Sequence, residues 1–194
     1  LKSKVDNFIK KLNSKIKIAF LIPGGSYAKN TWLKGKYDID IFARFNYNKY
    51  KNKDISKLLD GRIKSLNPLV IHGSRDYFQI KQDNVIYEII PVLDIKNYKQ
   101  ALNVTDISPL HTEWVKKNLK NLENEVRLIK QFCIANNLYG AESYIKGFSG
   151  YVLEILIAYY KSFKSLVRNA TKWRLNELID INKVYARKNI FANL

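Results

Sequence analysis

Two aspartates, Asp38 and Asp40, flank Ile39 at the start of an apolar run. Because side chains in a strand alternate between its faces, both carboxylates are expected on one face and Ile39 on the other. Two carboxylates that share a face repel each other unless a cation lies between them. Magnesium is the ion that this pattern favours, because it prefers hard oxygen ligands and is readily shared with substrate phosphates. The pair therefore predicts a metal site that serves a phosphate-bearing substrate.

A phosphate-binding turn is predicted upstream, at Gly24, Gly25 and Ser26. These residues follow a strand-like run, 16–22, and lead into a segment, 27–33, that is able to begin a helix. Glycine lets a backbone approach a phosphate closely, and the N-terminus of a helix favours an anion. The sequence thus predicts a phosphate cradle and a carboxylate pair on adjacent elements.

Glu88 is a further acidic candidate, in another strand-like run. It is the one acidic residue in the apolar run 86–91. An acidic side chain in such a strand is costly to bury unless it is paired or bound to a metal ion. We therefore expect Glu88 to lie beside the aspartate pair.

The composition indicates a globular, strongly basic protein. The chain has 194 residues, of which 46% are hydrophobic, enough to form the core of one large domain or two small ones. Its 34 basic and 17 acidic side chains give a formal net charge of +17. Such a charge favours a polyanionic partner, with nucleic acid as the first candidate and an ordinary solvated basic surface as the alternative.

Location is predicted from the cysteine count and from hydropathy. The lone Cys133 excludes a disulfide framework and a cysteine-based zinc site, and it suits a cytoplasmic protein. No apolar run approaches the roughly 20 residues of a membrane span, so no membrane association is expected.

Hydrophobic periodicity predicts an α+β region followed by a helical one. Helical spacing covers the N-terminus, through Val5, Phe8, Ile9 and Leu12. The predicted strands are near 16–22, 39–45, 69–72, 77–80 and 85–90, and a helix is predicted over 54–66. From Ser108-Pro109, which is typical of a helix start, only helical patterns follow, among them 122–133 and 151–160. The predicted domains are therefore residues 1–105 and 106–194.

Three longer strings resemble the archaeal, class I CCA-adding enzymes, which are tRNA nucleotidyltransferases of the polymerase beta superfamily. The first runs from Gly25-Ser26 to Asp38-Ile39-Asp40, and the others are residues 125–130 and 139–151. The resemblance covers nearly the whole chain in order. It implies a polymerase beta-like nucleotidyltransferase head, with a mixed sheet and flanking helices, in residues 1–105. Residues 106–194 would form a mainly helical neck with the start of a truncated body, since members of the family are much longer.

The resemblance implies template-independent, Mg²⁺-dependent transfer of CMP and AMP from CTP and ATP to the tRNA 3′ end. In the family's two-metal arrangement, Asp38 and Asp40 would bridge both ions, and Glu88 would hold the ion that activates the 3′-hydroxyl. The family carries aspartate where this chain has Glu88. Because glutamate is longer by about 1.5 Å, we expect either a strand set slightly further back or an altered metal position.

Further nucleotide-binding residues are implied by the same resemblance. Those expected at the phosphates and sugar are Gly25, Ser26, Lys29, His111, Lys130 and Tyr139. The segment 187–194 resembles the one in which an arginine recognises the base, so that Arg187 or Lys188 would select CTP and ATP. A guanidinium and an ammonium recognise bases differently. Glu154 is expected to pair with a neighbouring basic group rather than take part in the chemistry.

Two other interpretations stay open. A related nucleotidyltransferase that acts on another acceptor, such as an oligoadenylate synthetase-like enzyme or a tRNA-modifying toxin, would share the same head. A degenerate RNA-binding remnant would account for the glutamate at position 88, although Asp38, Asp40 and Ser26 persist. The expected partners are the tRNA 3′ end, CTP and ATP, together with a partner chain that supplies the missing body and tail.

Overall fold

A five-stranded mixed sheet, in the order β1-β2-β5-β4-β3, forms the centre of the first half of the chain. The structure is a computed structural model that describes residues 1–35, 38–175 and 177–183. The β2 and β5 strands are parallel, and the other neighbouring pairs are antiparallel. The strands are β1 (Phe20–Pro23), β2 (Asp38–Asn46), β3 (Leu69–Ile71), β4 (Tyr77–Gln82) and β5 (Val85–Asp94).

Five helices accompany the sheet in the same unit. They are α1 (Lys2–Lys15), α2 (Gly25–Ala28), α3 (Tyr47–Tyr50), α4 (Ile55–Ile63) and α5 (Ser108–Asn118). The α1 helix buries Val5, Phe8, Ile9 and Leu12, the side chains whose spacing predicted it. The α4 helix is capped by Asp54, whose side chain accepts from the Lys57 amide. The predicted α+β class, with a mixed sheet flanked by helices, is confirmed.

Alternation along β2 separates its core face from its polar face. Ile39, Ile41, Ala43 and Phe45 are buried in the hydrophobic core, whereas Asp38 and Asp40 belong to the opposite face. A slip of one residue would exchange the two faces, so the buried set fixes the register of the aspartates.

The strand predicted over 16–22 begins later than expected. The first strand starts at Phe20, because α1 continues to Lys15 and Ile16 follows as its buried C-terminal cap. Apolar residues at this junction serve the helix and the core rather than the sheet. The other predicted strands and helices lie within a few residues of their expected positions.

The chain divides into two compact units, Leu1–Asn118 and Leu119–Leu194, one helix later than the predicted boundary at 105/106. The cause is Asp106, which is fully buried, forms an ion pair with Arg75, and accepts a hydrogen bond from the Leu93 amide (2.8 Å). The Asp106 carboxylate thus connects the helical turn Val104–Ile107, which precedes α5, to Leu93 near the end of β5. The α5 helix therefore belongs to the first unit.

The second unit is helical over its described residues. Its helices are α6 (Glu123–Ala135), α7 (Gly150–Tyr160) and α8 (Phe163–Ala170). Its buried side chains include Val126, Ile129, Leu153 and Ile157. Within the ranges that the structure describes, no helix combines the length and the apolarity that crossing a bilayer demands.

Candidate active site

The glycine turn packs directly against Asp40. The Gly24 amide donates to the Asp40 carbonyl oxygen at 2.8 Å, which joins the turn to β2. Gly25 has φ +52°, and a Cβ atom built there would overlap Asp40 Oδ2 and lie 2.5 Å from Cγ. Glycine is thus required at position 25 twice, for its backbone conformation and for its lack of a side chain. The glycine turn and the strand that carries the aspartates are therefore adjacent, as the sequence predicted.

A single helical turn begins at the second of these glycines. The α2 helix begins at Gly25, contains Ser26 and ends at Ala28, so it lies earlier than the segment 27–33 in which the sequence predicted a helix start. Lys29 caps its C-terminus and lies within electrostatic reach of Asp40, whose pKa its positive charge lowers. The turn therefore brings Gly25, Ser26 and Lys29 to the polar face of β2.

Asp40 and Glu88 are directly opposite each other in the parallel pairing of β2 with β5. Burial is the largest cause that raises the pKa of Asp40, to about 6, and the negative charge of Glu88 is the next. Asp38, an exposed residue on the same face, raises this pKa further. The expected set of three carboxylates therefore shares one region, and its mutual repulsion is only partly offset by Lys29.

Glu88 also has partners on β4 that the sequence analysis did not identify. Gln79 stands opposite Glu88 in the antiparallel β4–β5 pairing, and its Nε2 donates to Glu88 Oε1 at 2.6 Å. The pKa of the Tyr77 hydroxyl is raised by burial and then by the charges of Glu88 and Asp40. The sequence signal for this pair is the turn at Asp83 and Asn84. Counting residues outward from this turn along β4 and β5 places Gln79 opposite Glu88.

The carboxylates have the donor chemistry of a divalent-cation site. Their ligand atoms are all oxygens, and a bound cation would relieve the repulsion that raises the pKa of Asp40. Within the described ranges, no three acidic, histidine or cysteine side chains converge on one point. In this structure the Glu88 carboxylate accepts a hydrogen bond from Gln79 through Oε1. The donor set, three carboxylates on adjacent strands, thus fits such an ion by its chemistry, and one of its members, Glu88, is hydrogen-bonded to a neighbouring amide.

In the second unit, Lys130, Tyr139 and Glu154 converge at the start of α7. The Lys130 ammonium lies 3.5 Å from Glu154 Oε1, and both side chains are buried. A Cβ atom at Gly150 would lie 2.9 Å from the Tyr139 hydroxyl and 3.7 Å from Lys130 Nζ. Glu154 was expected to pair with a basic group, and this pairing is confirmed. Lys130 is buried, and Glu154 offers its charge a partner inside the unit.

A closed loop positions Tyr139 beside these residues. The Gly140 amide donates to the Phe148 carbonyl oxygen at 3.0 Å, and the Phe148 amide donates to the Leu138 carbonyl oxygen at 2.8 Å. An isolated bridge pairs Tyr139 with Phe148. Burial raises the pKa of the neighbouring Tyr151 hydroxyl, and the charge of Glu154 raises it further.

Three further candidates are His111, Arg187 and Lys188. His111 is half-buried in α5, which begins at Ser108, where the sequence predicted a helix start. Ser108 is itself helical rather than a preceding cap, because the helical turn Val104–Ile107 leads directly into α5. Arg187 and Lys188 lie outside the described residues.

Comparison with solved structures supports the fold of this arrangement. The chain is similar to CdnC of E. coli MS115-1 with ATP, with a TM-score of 0.63 and 17% identity, covering 93% of this chain and 69% of CdnC. A structure of the Cid1 poly(U) polymerase with MgATP gives a TM-score of 0.59 at 15% identity, covering 82% of this chain and 48% of that one. The predicted polymerase beta-like fold is confirmed.

Three curated archaeal relatives are more similar in sequence, and each is a CCA-adding enzyme. That of Nanoarchaeum equitans is 48% identical over 165 residues, covering 84% of this chain and 41% of the relative. That of Sulfurisphaera tokodaii is 41% identical and covers 77% of this chain and 37% of the relative. That of Archaeoglobus fulgidus is 37% identical and covers 84% of this chain and 38% of the relative.

A family model described as "tRNA nucleotidyltransferase, second domain" matches residues 124–193. The curated relatives match 77–84% of this chain. The chain spans about two fifths of the length of these relatives. On these grounds the chain belongs to the family of the archaeal CCA-adding enzymes.

Proposed function

We propose that this chain carries the nucleotidyl-transfer centre of a tRNA nucleotidyltransferase that adds CMP and AMP, from CTP and ATP, to the tRNA 3′ end. The observation that carries the proposal is the packing of Gly25 against Asp40, which stands opposite Glu88 in the sheet. A glycine turn for a phosphate and carboxylates for a cation thus adjoin each other. Relatives at 37–48% identity named CCA-adding enzymes support the choice of tRNA as the acceptor.

In the proposed reaction, Asp38, Asp40 and Glu88 hold Mg²⁺. The bound metal would supply positive charge that neutralises the triphosphate and favours deprotonation of an attacking 3′-hydroxyl. The protein's part in phosphoryl transfer is positioning and charge compensation. Asp40 must lose its proton to act as a ligand, and its raised pKa makes the cation site weaker below about pH 6. In the proposal, the Ser26 hydroxyl donates to a phosphate oxygen and the Lys29 ammonium neutralises phosphate charge beside Asp40.

The roles of His111, Lys130 and Tyr139 at the triphosphate and sugar remain predictions, as does base selection by Arg187 or Lys188. The division into a catalytic head, residues 1–105, and a helical neck, residues 106–194, also remains a prediction about function. A net charge of +17 supports an electrostatic hold on the RNA backbone. We include in the proposal a cytoplasmic location, which suits the buried, unpaired Cys133.

Faithful base selection is proposed to require more than the described residues. The relatives extend over more than twice the length of this chain. We propose that regions corresponding to their body and tail, supplied in the same protein or by a partner chain, complete the selection of CTP and ATP. Replacing Arg187 and Lys188 together by Ala is expected to flatten the preference for CTP over UTP while changing triphosphate affinity little.

The test is product sequencing after incubation with tRNA that lacks its 3′ end, with each nucleotide in turn. The proposal predicts C, C and A at the 3′ end when the body and tail are supplied. Asp40→Ala should abolish incorporation and leave tRNA binding within a few-fold, because the basic surface is unchanged. Incorporation by Asp40→Ala near the wild-type rate would refute the assignment of the metal ligands.

The same assay separates the alternatives. Oligoadenylate made without tRNA would indicate a different acceptor, and improper nucleotides added to tRNA ends would indicate a toxin. Tight tRNA binding by the supplemented wild type without any incorporation would indicate an RNA-binding remnant.

A further inference from the structure

Gln79, Glu88 and Asp40 form a row across three adjacent strands. Gln79 is opposite Glu88 in the β4–β5 pairing, and Glu88 is opposite Asp40 in the β5–β2 pairing. All three side chains are half-buried. The 2.6 Å bond from Gln79 Nε2 to Glu88 Oε1 links the first two. The amide thus adjoins the carboxylates on their β4 side.

A glutamate in this row needs an external constraint. Its side chain has one more rotatable bond than an aspartate would have, so it has more conformations to lose when it binds an ion. A hydrogen bond to Oε1 restricts the carboxylate and leaves Oε2 as the oxygen that is able to face a cation. Because an amide is neutral, it restrains the carboxylate without cancelling the charge that attracts the cation.

We propose that Gln79 is a positioning residue, which holds the Glu88 carboxylate in the orientation that binds the metal ion. This proposal rests on the proposed function, since it takes Glu88 as a ligand. Gln79 compensates for the longer side chain at position 88. An aspartate there, shorter by about 1.5 Å, would leave its oxygen about 4 Å from the amide, beyond hydrogen-bond distance.

A purely structural role for Gln79 makes different predictions. Cross-strand pairs stabilise sheets irrespective of any ion. If that were the only role, Gln79→Leu would change thermal stability but not metal affinity. Its effect would also be the same whether residue 88 is glutamate or aspartate.

The experiment is a double-mutant cycle with Gln79→Leu and Glu88→Asp, read by Mn²⁺ binding in electron paramagnetic resonance titrations. Gln79→Asn, too short to reach Glu88 Oε1, serves as a second variant that keeps an amide. The matched control is Gln82→Leu, the same substitution at an exposed position of the same strand. Thermal unfolding in EDTA verifies that each variant is folded.

We expect Gln79→Leu and Gln79→Asn to weaken Mn²⁺ binding by about tenfold, as removal of a residue that orients a ligand does. Gln82→Leu should bind as the wild type does. In the Glu88→Asp background, Gln79→Leu should change Mn²⁺ affinity by less than about twofold, because its hydrogen-bond partner is already out of reach.

Wild-type Mn²⁺ affinity in Gln79→Leu and Gln79→Asn would overturn the proposal, as would an equal loss in both backgrounds. The failure of the proposed function has a separate signature: Asp40→Ala would then bind Mn²⁺ as tightly as the wild type does.

Discussion

Replacing Gly25 by alanine tests the contact on which the site depends. Two effects are expected. The first is backbone strain, because φ +52° costs an L-residue about 1–2 kcal/mol. The second is the overlap of the new Cβ with Oδ2 of Asp40. Real Cβ atoms essentially never come closer than 3.0 Å to another heavy atom, so the carboxylate must move by about 1 Å or more.

Gly35→Ala separates these two effects. Gly35 also has a positive φ, +92°, but among the described residues a Cβ atom there would meet no atom within 4 Å. Both variants should therefore lose stability through backbone strain, and Gly25→Ala should lose more because of the overlap with Asp40, with Tm lower by about 2–4 °C for each kcal/mol in a chain of this size. Only Gly25→Ala should displace Asp40.

The assay is CMP incorporation into tRNA lacking its 3′ end, with the body and tail supplied, at saturating CTP. A misplacement of about 1 Å costs on the order of 100-fold in rate, so Gly25→Ala should be slower than Gly35→Ala by about that factor. Thermal unfolding should show that both variants are folded at the assay temperature, so that the difference in rate reports the position of Asp40 rather than unfolding. Equal rates for the two variants would refute the view that glycine is needed at position 25 to leave room for the Asp40 carboxylate.

Three further predictions concern charge. In metal-free buffer the wild type should lose stability, by up to about 3 kcal/mol, as the pH rises from about 4 to about 6, because folded Asp40 holds its proton more tightly than the unfolded chain does. Asp40→Asn should lack this loss in urea unfolding, and parallel pH profiles for the two proteins would contradict it. Glu154→Gln should lower the free energy of unfolding by about 3 kcal/mol, since it leaves the buried Lys130 without its counter-ion; a cost below about 1 kcal/mol in the same assay would show that the pair matters little. The affinity for tRNA, measured by filter binding, should fall by about 10³-fold between 50 and 200 mM salt if six phosphates are neutralised, and a flat profile would exclude a basic RNA-binding surface.

Much of the first unit follows from local patterns in the sequence. The alternation around Ile39 predicts which face of β2 carries the aspartates, and the turn at Asp83 and Asn84 predicts the β4–β5 hairpin. Both residues of that turn adopt positive φ, +53° and +61°, as such turns require. Each of these features is set by neighbours in the chain, which is why the sequence alone predicts it.

Features that depend on distant partners were missed. The extent of the first unit follows from the buried pair of Arg75 with Asp106, and neither residue has an unusual local context. Gln79 has no distinguishing local pattern in the sequence, and only the register of the β4–β5 pairing shows that it lies opposite Glu88. The pairing of Glu154 was expected, but its partner, Lys130, is identified only by the packing of α6 against α7.

The parallel pairing of β2 with β5 has a consequence for folding. It joins Asp40 to Glu88, with α3, α4, β3 and β4 lying between them in the chain. Contacts between residues so far apart in sequence form slowly, because the intervening loop must be ordered first. During synthesis the glycine turn and both aspartates leave the ribosome well before Glu88 does. The full set of carboxylates therefore exists only after β5 has inserted between β2 and β4, and an incomplete chain displays no assembled acidic centre.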